Sequence, residues 1–333
     1  EAPSTQNTTV NSALRAIHMN GNKIGGPDAL PACLSDTQLE ILALSYNLLT
    51  GSIPSTIFQP ALKDLELAFN GLEGTIPETI GKSSQLEILA LQENKLEGHL
   101  PKTFTSLTSL KILTLRSNRL SGKWPVPAVG NDYTWTGKIK IMDLRKNSFS
   151  GPLPFRSFAA FPSLETLLLN NNAFTGHLPD CRGSVTGRLD SPLNAIAMSS
   201  NRLHGPVGPF MECIMKLKAN GQKANDQKAN SQKANDQNDR GKEDMVAKEL
   251  DHGAEEDEEA IAGSEAQVSR ANSLLLLDLG KNDFTGTVPH NFFSNKTSSF
   301  DNLIAFAVNN NRLNGRLPAH TSSMSHLRHM VVQ

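Results

Sequence analysis

Apolar residues in this chain recur in one short phrase. In residues 39–54, LEILALSYNLLTGSIP, leucines stand at 39, 42 and 44, asparagine at 47, glycine at 51 and proline at 54. The phrase returns when the chain is aligned on Asn22, Asn47, Asn70, Asn94, Asn118, Asn147, Asn172, Asn201, Asn282 and Asn311. These asparagines are 23 to 29 residues apart, except for one step of 81. In every unit the residues eight, five and three before the asparagine, and two after it, are apolar. The fourth residue after it is always glycine, and the seventh is proline in eight of the ten units.

Each column has a physical meaning. Apolar residues at alternate positions predict a short strand with one face in a core. A unit this short cannot bury its apolar side alone, so neighbours must stack into a solenoid with a parallel sheet. The asparagine is expected to end the strand. Its amide both donates and accepts, so a ladder through Asn47, Asn70, Asn94, Asn118, Asn147 and Asn172 can satisfy turn backbone groups. Glycine supplies a backbone shape closed to other residues, and proline fixes the return leg.

The pattern LxxLxLxxNxLxGxIP resembles the plant-type leucine-rich repeat family, over residues 14–318 apart from one insertion. The resemblance implies an α/β-type solenoid: a horseshoe with a parallel β-sheet on its concave face, here of about ten repeats plus a truncated eleventh. It further implies recognition of a protein or peptide, as in receptor-kinase ectodomains, receptor-like proteins and secreted inhibitors of cell-wall hydrolases. That places the chain outside the cell or at its surface, and an intracellular scaffold is the alternative. The cysteine-paired N-terminal cap usual in secreted members is missing. Leu327, Met330 and Val332 fall at the spacing of a fresh repeat, so the chain reads as a fragment, and a kinase domain, a membrane span or more repeats can lie beyond it.

The expected organisation is a lead-in at 1–13, repeats one to eight at 14–208, an insertion at 209–272, repeats nine and ten at 273–326, and a repeat start at 327–333. The insertion holds four tandem pentapeptides from Lys218 to Gln237 and the acidic run EEDEE at 255–259. That composition predicts disorder, and a repeat-expanded surface loop is tolerated at little entropic cost.

On each strand the residues six, four, two and one before the asparagine are expected to face away from the core and form the contact surface. One before it stand Tyr46, Phe69, Glu93 and Lys146; two before it, Gln92, Arg116 and Arg145; four before it, Glu66 and Asp143. An aromatic pair beside arginines able to fork onto a carboxylate suits a protein or peptide ligand. A solvated strand face with cross-strand charge pairs is the plainer reading.

Composition excludes more than it suggests. The formal net charge of -1 in 333 residues gives no field for nucleic acid, and no apolar run spans a bilayer. His320, His326 and His329 lack the glutamate of a zinc-protease helix. Glu66 and Asp143, three units apart, are too far separated to work on one bond, and no nucleophile elbow or phosphate loop appears. No enzyme, metal or cofactor is expected, and the chain is expected to be a monomer. Some members of the family bind ice through regular threonine arrays, but the column five after the asparagine (Ser52, Thr75, His99, Lys123, Pro152, His177) is too irregular for that. Cys181 and Cys213 lie on adjacent units where a disulfide is open to them, and free thiols fit equally well. Asn7 and Asn295 head glycosylation sequons.

Overall fold

The structure is a computed structural model, described here for residues 14–26, 30, 34, 38–125, 138–153, 163–178, 193–215, 274–290, 292, 303–316 and 326–332. It divides into two compact units, Glu1–Thr136 and Gly137–Gln333. The lead-in at 1–13, Cys181, Asn7, Asn295, the pentapeptides and the EEDEE run all lie outside the described residues.

In the first unit the apolar phrase forms inner strands Ala16–His18, Ile41–Ala43, Asp64–Glu66, Ile88–Ala90 and Ile112–Thr114. They pair in parallel and in register, Ala16 with Ile41, Ile41 with Asp64, Asp64 with Ile88 and Ile88 with Ile112. In the second unit the inner strands are Ile141–Asp143, Thr166–Leu168, Ala195–Ala197, Leu276–Asp278, Ala305–Ala307 and His329–Val331. These pair in the same way, and Ala195 meets Leu276 directly, so the 81-residue step interrupts the sequence without interrupting the sheet. Each unit is thus the parallel-stranded solenoid that the spacing predicts. Leu42, Leu65, Leu89, Leu113, Met142, Leu167, Ile196, Leu277 and Phe306 are its buried spine.

Two features differ from expectation. A second parallel sheet runs just after the asparagines, in strands such as Leu48–Ser52, Gly71–Gly74 and Lys95–His99 in the first unit. In the second unit it includes Ser148–Pro152, Ala173–Gly176 and Arg202–Pro206. Also, the inner strand stops four residues before the asparagine, and the residue just before the asparagine makes the turn. Tyr46, Phe69, Glu93, Ser117, Lys146, Asn171, Ser200, Lys281 and Asn310 all have φ between 51° and 58°. This left-handed shape costs an L-residue roughly 1–2 kcal/mol. The turn is held by a backbone ladder: Tyr46 N–H donates to Ala68 O, Phe69 N–H to Gln92 O and Glu93 N–H to Arg116 O.

The asparagine side chains cross-link this turn. Asn70 Oδ1 accepts from Leu49 N–H at 3.0 Å, and its Nδ2 donates to the carbonyls of Leu44, Leu67 and Ala68. Asn47, Asn94, Asn118, Asn172, Asn201, Asn282 and Asn311 repeat the scheme, each accepting from the preceding repeat. The glycine column has a steric cause as well as a conformational one. Gly122 has φ of 81°, and a Cβ there would collide with the His99 ring of the previous repeat.

The return legs of the first unit are 3₁₀ turns at Ser55–Ile57, Glu78–Lys82 and Lys102–Ser106, each entered through a proline. In the second unit residues 207–215 are helical and bury Val207, Phe210, Met211 and Ile214 at amphipathic spacing. This helix carries the core past residue 208, where the change in composition was expected to begin the insertion. No helix among the described residues is long and apolar enough to cross a membrane.

One column escaped the sequence reading. Seven residues before each asparagine, the first unit carries Arg15, Glu40, Lys63, Glu87 and Lys111, alternating in sign. Lys63 Nζ lies 2.6 Å from Glu40 Oε2, and Lys111 Nζ 3.0 Å from Glu87 Oε2. The Lys63 hydrogen bond and charge hold the Glu40 carboxyl below its ordinary value, and Glu40 raises the Lys63 ammonium in return. Ionised Glu40 therefore favours the fold above the ordinary carboxylate pKa, and this contribution fades as pH falls through the lowered folded value. The contribution of Lys63 is full below its unfolded pKa and is lost as pH rises through the raised one. Both groups are at the surface, so the effect on stability is small. In Lys63→Met, Glu40 should titrate closer to an ordinary carboxylate, read by carbon-13 NMR; an unmoved titration would show that Lys63 is not the cause.

Candidate functional site

The sequence nominated one strip of inner-strand residues. The structure distributes it over both units, and each group stands by itself. In the first unit, one column before the asparagines is half-buried and presents Tyr46, Phe69 and Glu93. The Tyr46 and Phe69 rings stack, with centroids 4.3 Å apart and planes within 8°. Consecutive left-handed turns in register bring them together, since both residues occupy the same position of neighbouring repeats. Beside them the Arg116 guanidinium lies 3.3 Å from Glu93 Oε1.

The two deeper columns are not the free surface expected of them. Glu66, Gln92 and Arg116 are 6%, 0% and 3% exposed. Glu66 accepts from Asn20 Nδ2 at 3.3 Å, and Asn20 Oδ1 accepts from Ser45 N–H at 2.7 Å. Gln92 Oε1 accepts from Thr114 Oγ1 at 2.5 Å. These side chains tie repeats together through short polar links, Asn20 reaching Glu66 two repeats on and Thr114 reaching Gln92 one repeat back. Asn20 and Thr114 were not singled out from the sequence, although each sits in a column that was read, two and four before its asparagine.

In the second unit the expected fork of Arg145 onto a ligand is already occupied. Its Nε and Nη2 bind Asp143 Oδ1 and Oδ2 at 3.0 and 2.9 Å, and Asp143 also accepts from Arg145 N–H. Asp143 is wholly buried, and Arg145 is 8% exposed. The pair is an internal ion pair at the end of the inner strand: Asp143 is the last strand residue and Arg145 lies two residues beyond it. Lys146, next in sequence, is half-buried. Further along, Asn170 Nδ2 bridges Ser199 Oγ and Asp278 Oδ2 at 3.0 and 3.3 Å, a cluster that the sequence reading passed over. Cys213 is buried in the helix and disulfide-bonded. Among the described residues, no three histidine, cysteine or acidic side chains gather in a metal-holding group.

Family models described as leucine-rich repeats match residues 38–59 and 60–120, the stretch in which inner strand, left-handed turn and asparagine ladder recur most regularly. Leucine-rich repeats are thus present in the chain over these residues. No curated protein sequence matches it. Among solved structures, a TDR receptor is similar over 96% of this chain and 43% of its own, at 28% identity and a TM-score of 0.67. The Arabidopsis receptor kinase HAESA, crystallised with the peptide hormone IDA and the co-receptor SERK1, is similar over 97% of this chain and 42% of its own. Its identity is 23% and its TM-score 0.67. The plant peptide hormone receptor RGFR1, solved with RGF2, is 22% identical with a TM-score of 0.63, over 96% and 48% of the two chains. At these last two identities the likeness is one of fold. The leucine-rich-repeat chain spans less than half the length of each of these receptor structures. Its repeats match the plant type suggested by their consensus.

Proposed function

We propose that this leucine-rich-repeat chain is a non-catalytic recognition module that binds a peptide or an extended protein segment on the inner-strand face of its first unit. The observation that carries the reading is the half-exposed Tyr46–Phe69 stack beside the Glu93–Arg116 ion pair. Two rigid aromatic rings offer a large apolar contact at low entropic cost, and a partly screened ion pair at their edge adds orientation. Of the receptor structures cited above, HAESA was solved with a peptide hormone and RGFR1 is described as a peptide hormone receptor, and the likeness to a further receptor supports a recognition role. The module acts as a monomer, outside the cell, and a disulfide at Cys213 fits that compartment.

The deeper strip residues belong to the scaffold on this reading, so only the aromatic column is a fair target for testing contact. Asparagine suits the left-handed position that both aromatics occupy. In Tyr46→Asn with Phe69→Asn, the lost stack, about 0.5–1.5 kcal/mol, is offset by relief of left-handed strain of similar size. Stability should therefore stay near wild type, while affinity for peptides selected on the wild-type chain from a displayed random library should fall by about tenfold or more. Equal binding by the variant would remove the aromatic pair from the site. Failure to enrich any peptide would sink the peptide reading itself.

A further inference from the structure

His177 and His204 take no part in the recognition site and lie in the second unit. His177 directly follows outer strand Ala173–Gly176, and His204 sits within Arg202–Pro206. Gly176 pairs with Leu203, so the next step along both strands sets the two histidines side by side. Parallel strands lie about 4.8 Å apart, and the ring centroids are 4.6 Å apart at an angle of 72°. Both residues are exposed. Neither imidazole makes a hydrogen bond or an ion pair with the described residues. The intervening glycine leaves space for this arrangement, since a Cβ on Gly205 would collide with Nδ1 of His177. Surface imidazoles more often take up water or a carboxylate than meet edge to face at this distance.

We propose that His177 and His204 form a chelating site for a divalent transition metal of the class that favours imidazole, with Cu²⁺ bound more tightly than Zn²⁺. Each ring can supply one nitrogen lone pair once the exposed side chains turn from their edge-to-face contact so that both lone pairs, which lie in the ring planes, converge on one ion. Register keeps the two donors on neighbouring repeats. The next residue in register after His204 is Asp283, but its carboxylate is engaged by Arg312 at 3.0 Å. The protein donors are therefore the two imidazoles, with water completing the shell. Two ligands make a weaker site than the four of a structural zinc centre. The rank among metals follows the general order for nitrogen ligands, in which copper exceeds nickel and zinc. Hard, oxygen-seeking Mg²⁺ and Ca²⁺ are excluded by the same chemistry. A metal held here bridges two adjacent outer strands in the folded chain and finds no equivalent in the unfolded one, so it stabilises by mass action.

Calorimetric titration of the chain with Cu²⁺, Zn²⁺ and Mg²⁺ tests the site, with His177→Gln, His204→Gln and, as a control at another exposed histidine, His290→Gln. Wild type and His290→Gln should bind one equivalent of Cu²⁺ that both site variants lose. Cu²⁺ should also raise the Tm of the first two proteins and not of the site variants, which separates binding at the pair from a folding defect. Copper EPR of the loaded wild type should show nitrogen hyperfine coupling that weakens in each site variant. Undiminished copper binding in His177→Gln or His204→Gln, or Mg²⁺ binding with equal affinity, overturns the proposal.

Discussion

Replacing Asn118 by alanine should destabilise the first unit by on the order of 3 kcal/mol, measured by chemical denaturation. Asn118 Oδ1 accepts from Leu96 N–H at 2.9 Å, and its Nδ2 donates to Leu91 O, Leu115 O and Arg116 O at 2.9, 3.1 and 3.3 Å. All four bonds are buried. Alanine leaves a buried N–H without its acceptor, a penalty of about 1–3 kcal/mol, and removes a donor shared among three carbonyls. Asn118→Asp separates the two halves of the amide's work. It keeps an acceptor for Leu96 but turns a carboxylate toward carbonyl oxygens, so it should be at least as damaging near neutral pH and partly recover when acid protonates it. Asn22 gives the contrast. Its Nδ2 reaches only the exposed carbonyls of Met19 and Asn20, and Asn22→Ala should cost less than about 1 kcal/mol. If Asn118→Ala proved as mild as Asn22→Ala, the ladder would not be what holds successive turns together.

This asymmetry bears on which parts of the molecule can be read from residue order. The inner strands were legible because their constraint lies in side chains: Leu39, Leu42 and Leu44 must enter a core, and alternation says on which face. The second sheet was not, because strands such as Leu48–Ser52 carry a glycine that reads locally as a breaker, while their pairing is backbone to backbone. The turn was misplaced for a related reason. Local preference opposes Tyr46 or Phe69 at positive φ, and only the stacked ladder from Tyr46 N–H to Ala68 O overrides it. For the candidate site, the position of each residue was legible but its availability was not. Column and strand direction place Glu66, Gln92 and Arg116 on one face, yet whether such groups meet a ligand or each other depends on distances between repeats. Asp143 and Arg145 are the exception. Opposite charges only two residues apart, Asp143 closing the inner strand and Arg145 just beyond it, are close enough along the chain that their spacing argues for an internal pair.

Arg145→Ala should then be among the most damaging changes in the second unit, at about 3–5 kcal/mol. The substitution strips a fully buried carboxylate of a partner that grips both its oxygens at 3.0 and 2.9 Å. Arg145→Lys should recover only part of the loss, because an ammonium cannot reproduce the planar two-point grip. Removing both charges tests whether the penalty belongs to the pair or to the abandoned acid. Asp143→Asn combined with Arg145→Met leaves no uncompensated charge, and it should be more stable than Arg145→Ala alone. A double-mutant cycle isolates the coupling. The same variants decide between a structural arginine and a ligand contact. A structural role predicts a large loss of stability that the second substitution repairs, with peptide affinity per folded molecule unchanged. An arginine held ready for a ligand carboxylate predicts the reverse: little change in denaturation midpoint, and binding that the second substitution does nothing to restore. The bidentate geometry and the burial of Asp143 favour the first outcome, which would leave the proposed aromatic contact of the first unit as the place to look for binding.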